Sequence, residues 1–284
     1  MAFRSAEEIV KDDRKGAAKL LRDALESLRK LEKDEIESYL KTLVKKRYSM
    51  TPLVNLANQI FLSLEQGEEI DSILEDVEKD LLSRSQEASV EMRKLIKSKD
   101  HAEILTLSYS STVIQTLSTV EKVTVLESRP KKEGKITAKK LSDEEIEVEY
   151  WIDAGMCKAL ERVDCAVVGA DTISKKGFLN KIGTRPLAII SESLEKEFYV
   201  AADSSKILPS EIPPPKGETH PTEEVWDNQD DIIVRNDYFE QTQLKRAEFV
   251  TENGHIKAED IRDIAEEKEV SKRLLRIHPL IKER

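Results

Sequence analysis

The chain has 284 residues, 39% of them hydrophobic and 36% charged, with a formal net charge of −10 at pH 7. That length allows one large domain or two ordinary ones around a substantial core. The acidic balance argues against nucleic acid as the main partner, because neutralising a phosphate backbone needs a basic face.

The N-terminal stretch MAFRSAEEIVKDDRKG has no apolar core of a signal peptide. Nothing further along approaches the roughly 20 apolar residues that span a bilayer. Cys157 and Cys165 make neither a secreted disulfide framework nor a zinc site, so both are expected as buried thiols of a cytoplasmic protein.

The first hundred residues predict helices throughout. Ala17, Leu21, Ala24, Leu28 and Leu31 recur at helical spacing, and Ile36, Leu40, Leu43 and Val44 repeat the pattern. In MTPLVNLANQIFLSL, Thr51 suits a cap and Pro52 a first helical turn. A long charged segment from Gln66 to Ser98 carries Ile70, Ile73, Leu74, Val77 and Leu81. Residues 1–100 are thus expected to form an all-helical domain of four or so helices.

Around residue 100 the pattern changes. ILTLSY, KVTVLES, EIEVEYWI, CAVVGAD, EFYVAAD and AEFVTEN are short apolar runs separated by helical segments. Such alternation predicts a mainly parallel sheet with helices on both faces over residues 101–284. Ligands of these sheets bind outside the carboxyl ends of the strands. The residues to examine are therefore Ser108 to Ser111, Ser128 to Pro130, Asp153 to Gly155, Gly169 to Asp171 and Asp203 to Lys206. The Pro-rich LPSEIPPPKGETHP is a loop.

CAVVGADTISKKGFLNKIGT is the most informative stretch. A strand ends at Gly169, where the missing side chain lets a backbone or ligand come close. Asp171 projects from the strand end, Lys175-Lys176-Gly177 is a turn, and Asn180 to Thr184 lead into a helix over Arg185 to Leu194. An acid, an amide, a lysine and a helix N-terminus suit a sugar hydroxyl beside a phosphate. A capped turn with a structural aspartate accounts for the same residues. The four histidines are scattered without ligand spacing, so no metal is expected, and no cofactor either. Trp151 and Trp226 are expected to pack. KKEGK and EEKEVSKR are expected to be solvated faces.

VVGADTI…G…NKIGT, ESRP followed by an acidic residue and glycine, and LTLSYSSTV occur as separated motifs. Together they resemble the family of the alpha, beta and delta subunits of translation initiation factor 2B. That superfamily also contains ribose-1,5-bisphosphate and 5-methylthioribose-1-phosphate isomerases. RNDYFEQTQLKRAEFVTENGHIKAEDI is similar to the family's closing segment, and DDRKGAAKLL to the isomerases' Arg-Gly-Ala stretch. The resemblance implies an α/β chain with an N-terminal helical domain, a C-terminal Rossmann-like domain and a homodimer or larger homo-oligomer. It implies a ligand site at Lys15, Gly16, Ala17, Ser108, Tyr109, Ser110, Arg129, Asp171, Asn180, Lys181 and Lys206.

Two departures set this chain apart from the isomerases it resembles. Their catalytic cysteine follows the first strand of the C-terminal domain and works with the aspartate of the GAD motif, which is Asp171 here; Ser108 stands at the cysteine's place. A serine is a poor proton donor near neutral pH without a base or metal. Met50 stands near the place of a phosphate-gripping arginine, and Glu133 stands where a glutamine is expected. The resemblance thus points to a regulatory protein that binds the alpha subunit of initiation factor 2 and senses a sugar phosphate or nucleotide. The alternative is an active sugar-phosphate isomerase using another acid, with Tyr109 and Glu133 as candidates.

Overall fold

The protein, seen in a computed structural model, is described over residues 3–12, 17–216, 219–227 and 231–282. Lys15 and Gly16 lie outside the described residues, and Ala17 opens the second helix. Helices come first: α1 (Ala6–Lys11), α2 (Ala17–Leu28), α3 (Lys33–Lys46), α4 (Thr51–Glu65) and α5 (Ile70–Ser98). Strands and helices then alternate: β1 (Glu103–Leu107), α6 (Ser111–Leu117), β2 (Lys122–Leu126), α7 (Gly134–Asp143), β3 (Glu147–Trp151), α8 (Met156–Leu160) and β4 (Cys165–Val168). A β-hairpin, β5 (Thr172–Ser174) and β6 (Gly177–Lys181), precedes α9 (Thr184–Ser193) and β7 (Glu197–Ala201). The chain closes with β8 (Phe239–Thr242), β9 (Glu248–Thr251), β10 (Gly254–Ile256), α10 (Ala258–Glu267), α11 (Lys272–Ile277) and α12 (Pro279–Lys282).

Each apolar run expected as a strand is one. They build a seven-stranded sheet in the order β10-β9-β7-β4-β1-β2-β3, parallel except for the β9–β10 edge. The central strands are continuous apolar runs because both faces are covered. Ile104, Val123, Val125 and Val167 face Met92, Ile96, Val113 and Leu117 on one side. Leu105, Leu107 and Val168 face Ala159, Leu187 and Ile261 on the other. A second, three-stranded sheet, β5-β6-β8, stands beside the first.

The helical core gathers Leu20, Leu25 and Leu28 of α2, Leu40 and Leu43 of α3, and Leu53, Ile60 and Phe61 of α4. Leu274 of α11 is buried in the same core, with Ile277 and Ile281 packed against it. Helix α5 serves both layers. Ile73 and Val77 sit in the helical core, whereas Met92 and Ile96 lie on the sheet. Its 29 residues reach about 43 Å at 1.5 Å per residue.

Three expectations are corrected. Met50, not Thr51, precedes α4; Thr51 is its first helical residue and its hydroxyl lies 2.7 Å from Thr172 Oγ1. Only Cys165 is a buried thiol, because α8 carries Cys157 on its exposed side. Trp226 does not pack: it is 53% exposed, beside exposed Val225. Among the described residues, no helix is long and apolar enough to cross a membrane.

Candidate functional site

The crevice of a parallel sheet opens where connections leave neighbouring strands in opposite directions. Here that point lies between β1 and β4, since β1 leads to β2 on one side while β4 flanks it on the other. The strand ends at this point carry most of the expected residues.

Beyond β1 the backbone turns left-handed at Ser108 (φ 71°), and beyond β2 it does so at Ser128 (φ 65°). A residue with a Cβ enters that region at a cost, so each turn needs fixing by its surroundings. The Ser108 N–H donates to Ser128 Oγ at 2.7 Å, and Thr137 Oγ1 donates to the Ser108 carbonyl at 2.7 Å. Asp153 accepts the N–H groups of Ser128 and Arg129, each at 2.7 Å. The Arg129–Pro130 bond is cis. Helix α7 then starts hard against β2: a Cβ on Gly134 would lie 1.9 Å from the Leu126 carbonyl oxygen. Glu133, just before Gly134, pairs with Lys181 of β6.

Ser110 caps α6, with its Oγ accepting the Val113 N–H at 3.4 Å. The same Oγ would lie 2.9 Å from a Cβ on Gly169, so glycine there lets the ends of β1 and β4 meet. Tyr109 is turned to α7, where Lys140 Nζ donates to its hydroxyl at 2.8 Å. Among the described residues, no base is hydrogen-bonded to the Ser108 hydroxyl.

Asp171 follows the end of β4, with its N–H tied to the Leu179 carbonyl at 2.9 Å. Burial pushes its carboxyl above the usual carboxylate range; Lys206 and Lys181 oppose that rise and Glu133 adds to it. These charges therefore converge on Asp171. Asn180 and Lys181 sit in strand β6 rather than in a loop, because β6 pairs on both sides. Asn180 Nδ2 donates to Thr184 Oγ1 at 2.9 Å.

Lys206 ends a tight turn over Ser204–Lys206 that follows β7. Asp203 accepts the Ser205 N–H at 3.1 Å. Asn55 of α4 donates to the Ser205 and Ile207 carbonyls at 2.6 and 3.0 Å. Lys268 Nζ donates to the Ser204 carbonyl at 2.8 Å, and burial, reinforced by Arg84, pushes its ammonium down to about 8. Lys206 itself makes no ion pair among the described residues, and its charge acts on Asp171.

The other anion-binding places are already occupied by carboxylates of the chain. Lys181 is 2% exposed and its Nζ lies 2.8 Å from Glu133 Oε1. Lys131 is ion-paired with Glu224, which also accepts from Tyr238. The Tyr238 ring lies 4.8 Å from Lys181 Nζ and 5.6 Å from Lys131 Nζ, a cation–π bridge between them. At the start of α9, Glu240 Oε1 takes the Gly183 and Arg185 N–H groups at 2.6 and 3.0 Å. Arg129 is exposed and donates to the Val225 carbonyl at 3.3 Å. Within KKEGK, Lys131 and Lys135 are exposed as expected, but Lys131 is paired with Glu224, and Glu133 with buried Lys181.

Ser108, Ser110, Asp171, Asn180, Lys181 and Lys206 lie at adjoining strand ends. Tyr109 and Arg129 stand at the rim in contacts of their own. The sequence reading singled out Asp153 by its place after β3 but left out Asn55, Glu224, Tyr238 and Glu240. Each acts on a partner far along the chain, so no local pattern marks it. Among the described residues, no three or more His, Cys, Asp or Glu side chains are grouped to hold a metal.

A helical layer on a parallel sheet, with polar groups converging at its switch point, defines a Rossmann-like α/β protein. The chain belongs to the Initiation factor 2 subunit family, whose sequence pattern matches residues 4–258. An eIF-2B subunit 2-like protein of Pyrococcus furiosus is 38% identical over 169 residues, covering 56% of this chain and 59% of its own. The ribose 1,5-bisphosphate isomerase of Methanocaldococcus jannaschii is 28% identical over 264 residues, covering 85% of this chain and 84% of its own. The crystal structure of the Pyrococcus horikoshii translation initiation factor eIF-2B superposes with a TM-score of 0.74 at 28% identity, covering 90% of this chain and 97% of that one. A 5-methylthioribose 1-phosphate isomerase from the same organism shares the fold, with a TM-score of 0.65 at 21% identity over 98% of this chain and 86% of that one.

Proposed function

We propose that the chain is a regulatory protein of the initiation factor 2B type. It binds the alpha subunit of initiation factor 2 and holds a phosphorylated sugar or nucleotide at the crevice around Asp171. The observation that carries this reading is the state of Ser108. Its hydroxyl has no base among the described residues, and its backbone is pinned by Ser128 and Thr137. General acid–base work is worth roughly 10²–10⁴ in rate and needs a group able to give and take a proton. Ser108 has no such support, whereas Asp171, Asn180, Lys181 and Lys206 stay in place around it. Family membership supports association with the initiation machinery.

The isomerase reading rests on Asp171, whose raised carboxyl suits a proton donor, and on the likeness to the Methanocaldococcus isomerase. One experiment separates the two. The purified protein is assayed on ribose 1,5-bisphosphate and 5-methylthioribose 1-phosphate, beside Ser108→Cys and Asp171→Asn, and the same preparation is tested for capture of initiation factor 2 alpha. Capture without turnover is the expected result. Wild-type turnover lost in Asp171→Asn would replace the regulatory reading with an enzymatic one.

A further inference from the structure

The crevice is asymmetric in charge. At one end Lys206 makes no ion pair among the described residues, and its charge acts on the Asp171 carboxyl. At the other, buried Lys181 is already paired with Glu133 at 2.8 Å. The Asp171 N–H bonds the Leu179 carbonyl two residues before Lys181, and Ile173 bridges to Ile207 beside Lys206, so these groups lie together, with Glu133 brought in through Lys181. Glu133 uses only one oxygen in that pair. Its Oε2 is buried and has no hydrogen-bond partner among the described residues. A buried carboxylate oxygen without a donor is costly, and a ligand that supplies the donor relieves that cost on binding.

Two further anion-binding places near the crevice are filled in the same manner. Glu224 is paired with Lys131, and Glu240 takes the N–H groups at the start of α9. A second phosphate of a ligand would therefore meet carboxylates at these positions. It would have to displace Glu133 from Lys181 or sit against an unscreened negative charge in a partly desolvated site.

Resting on the reading of this crevice as a sugar-phosphate or nucleotide site, we propose that Glu133 is its specificity-determining residue. The site takes a ligand with one phosphate, held at Lys206, and a neutral hydroxyl donor presented to Glu133 Oε2. It rejects ligands that carry a second phosphate toward Lys181. Glu133 works by occupying the lysine that such a phosphate would need and by leaving a free acceptor where a hydroxyl fits.

The test is calorimetric titration of the full chain with ribose 5-phosphate and with ribose 1,5-bisphosphate, repeated with Glu133→Gln and Glu133→Ala. The wild type is expected to bind the monophosphate more tightly than the bisphosphate. Either variant frees Lys181, so the preference reverses, with bisphosphate affinity rising about ten- to a hundredfold. Two variants are used so that a folding defect in one, read from its melting temperature, leaves the other informative. Binding of both probes with the same preference in wild type and variants would overturn the role of Glu133 while leaving the crevice a sugar-phosphate site. Absence of binding of either probe by any of the three folded proteins would overturn both.

Discussion

Asn55 of α4 donates its side-chain amide to the Ser205 carbonyl at 2.6 Å, across 150 positions of sequence. With its second bond, to Ile207, it ties the helical layer to the turn that presents Lys206. The backbone on either side of Lys206 is therefore fixed from another layer of the molecule. Asn55→Ala leaves both carbonyls without this donor and should cost about 1–3 kcal/mol of stability. Chemical denaturation checks that figure. Calorimetry with ribose 5-phosphate should show weaker binding by the folded variant as the Lys206 turn loosens.

Gly134→Ala should be among the most damaging single-methyl changes in the chain. The added Cβ would lie 1.9 Å from the Leu126 carbonyl oxygen and 3.0 Å from that of Glu127, both rigid backbone. Relief requires α7 to move off β2, and overpacking of that kind costs about 1–3 kcal/mol or more. Gly67→Ala has nothing within 4 Å of its new Cβ. Only its φ of +85° opposes the change, so the loss should be about 1 kcal/mol. Thermal unfolding of the two variants should rank them in that order.

His278 is 1% exposed, and neither ring nitrogen has a hydrogen-bond partner among the described residues. Burial holds its imidazole down at about 4 against an ordinary 6.5. In the unfolded chain it gains its proton near 6.5; in the folded chain it stays neutral until about 4. Its contribution to stability is therefore intact above pH 6.5 and is lost as pH falls toward 4. The loss should reach roughly 2 kcal/mol, allowing for relaxation around the charged ring. His278→Phe, which can still pack edge-on to Tyr48, should lack that part of the acid sensitivity when denaturation midpoints are compared between pH 7 and 4.5.

The two thiols should react very differently. Cys157 is exposed on α8, whereas Cys165 is buried in β4 and its thiol is pushed far up by burial, with Asp164 and Glu197 adding to the rise. Intact-mass spectrometry after iodoacetamide treatment of native protein should show one adduct, on Cys157. Two adducts should follow denaturation.

Much of the fold was legible because parallel strands buried on both faces need continuous apolar runs, and each such run became a strand. The second sheet was not legible for the converse reason. Strand β6 ends in Asn180 and Lys181, which are buried. Polar residues like these read as loop until Thr184 and Glu133 are seen to pair with them. Strand β10 spans only three residues at an antiparallel edge, too short for a period to show. In the site, GAD and NKIGT marked their places because their side chains lie near one another in sequence. Glu133 and Lys181 stand 48 positions apart, and nothing in either neighbourhood announces the other. Cys157 was misjudged because its helix is short and turns that side to solvent.

The burial of Leu274 among the leucines of α2, α3 and α4 has a consequence for biosynthesis. The first helices leave the ribosome long before the residue that completes their core exists. Until α11 is made, the helical layer carries an apolar gap that large-to-small substitutions suggest is worth about 2–5 kcal/mol. Their final packing thus waits for the synthesis of residues 272–277, and an apolar surface stays open on the nascent chain until then.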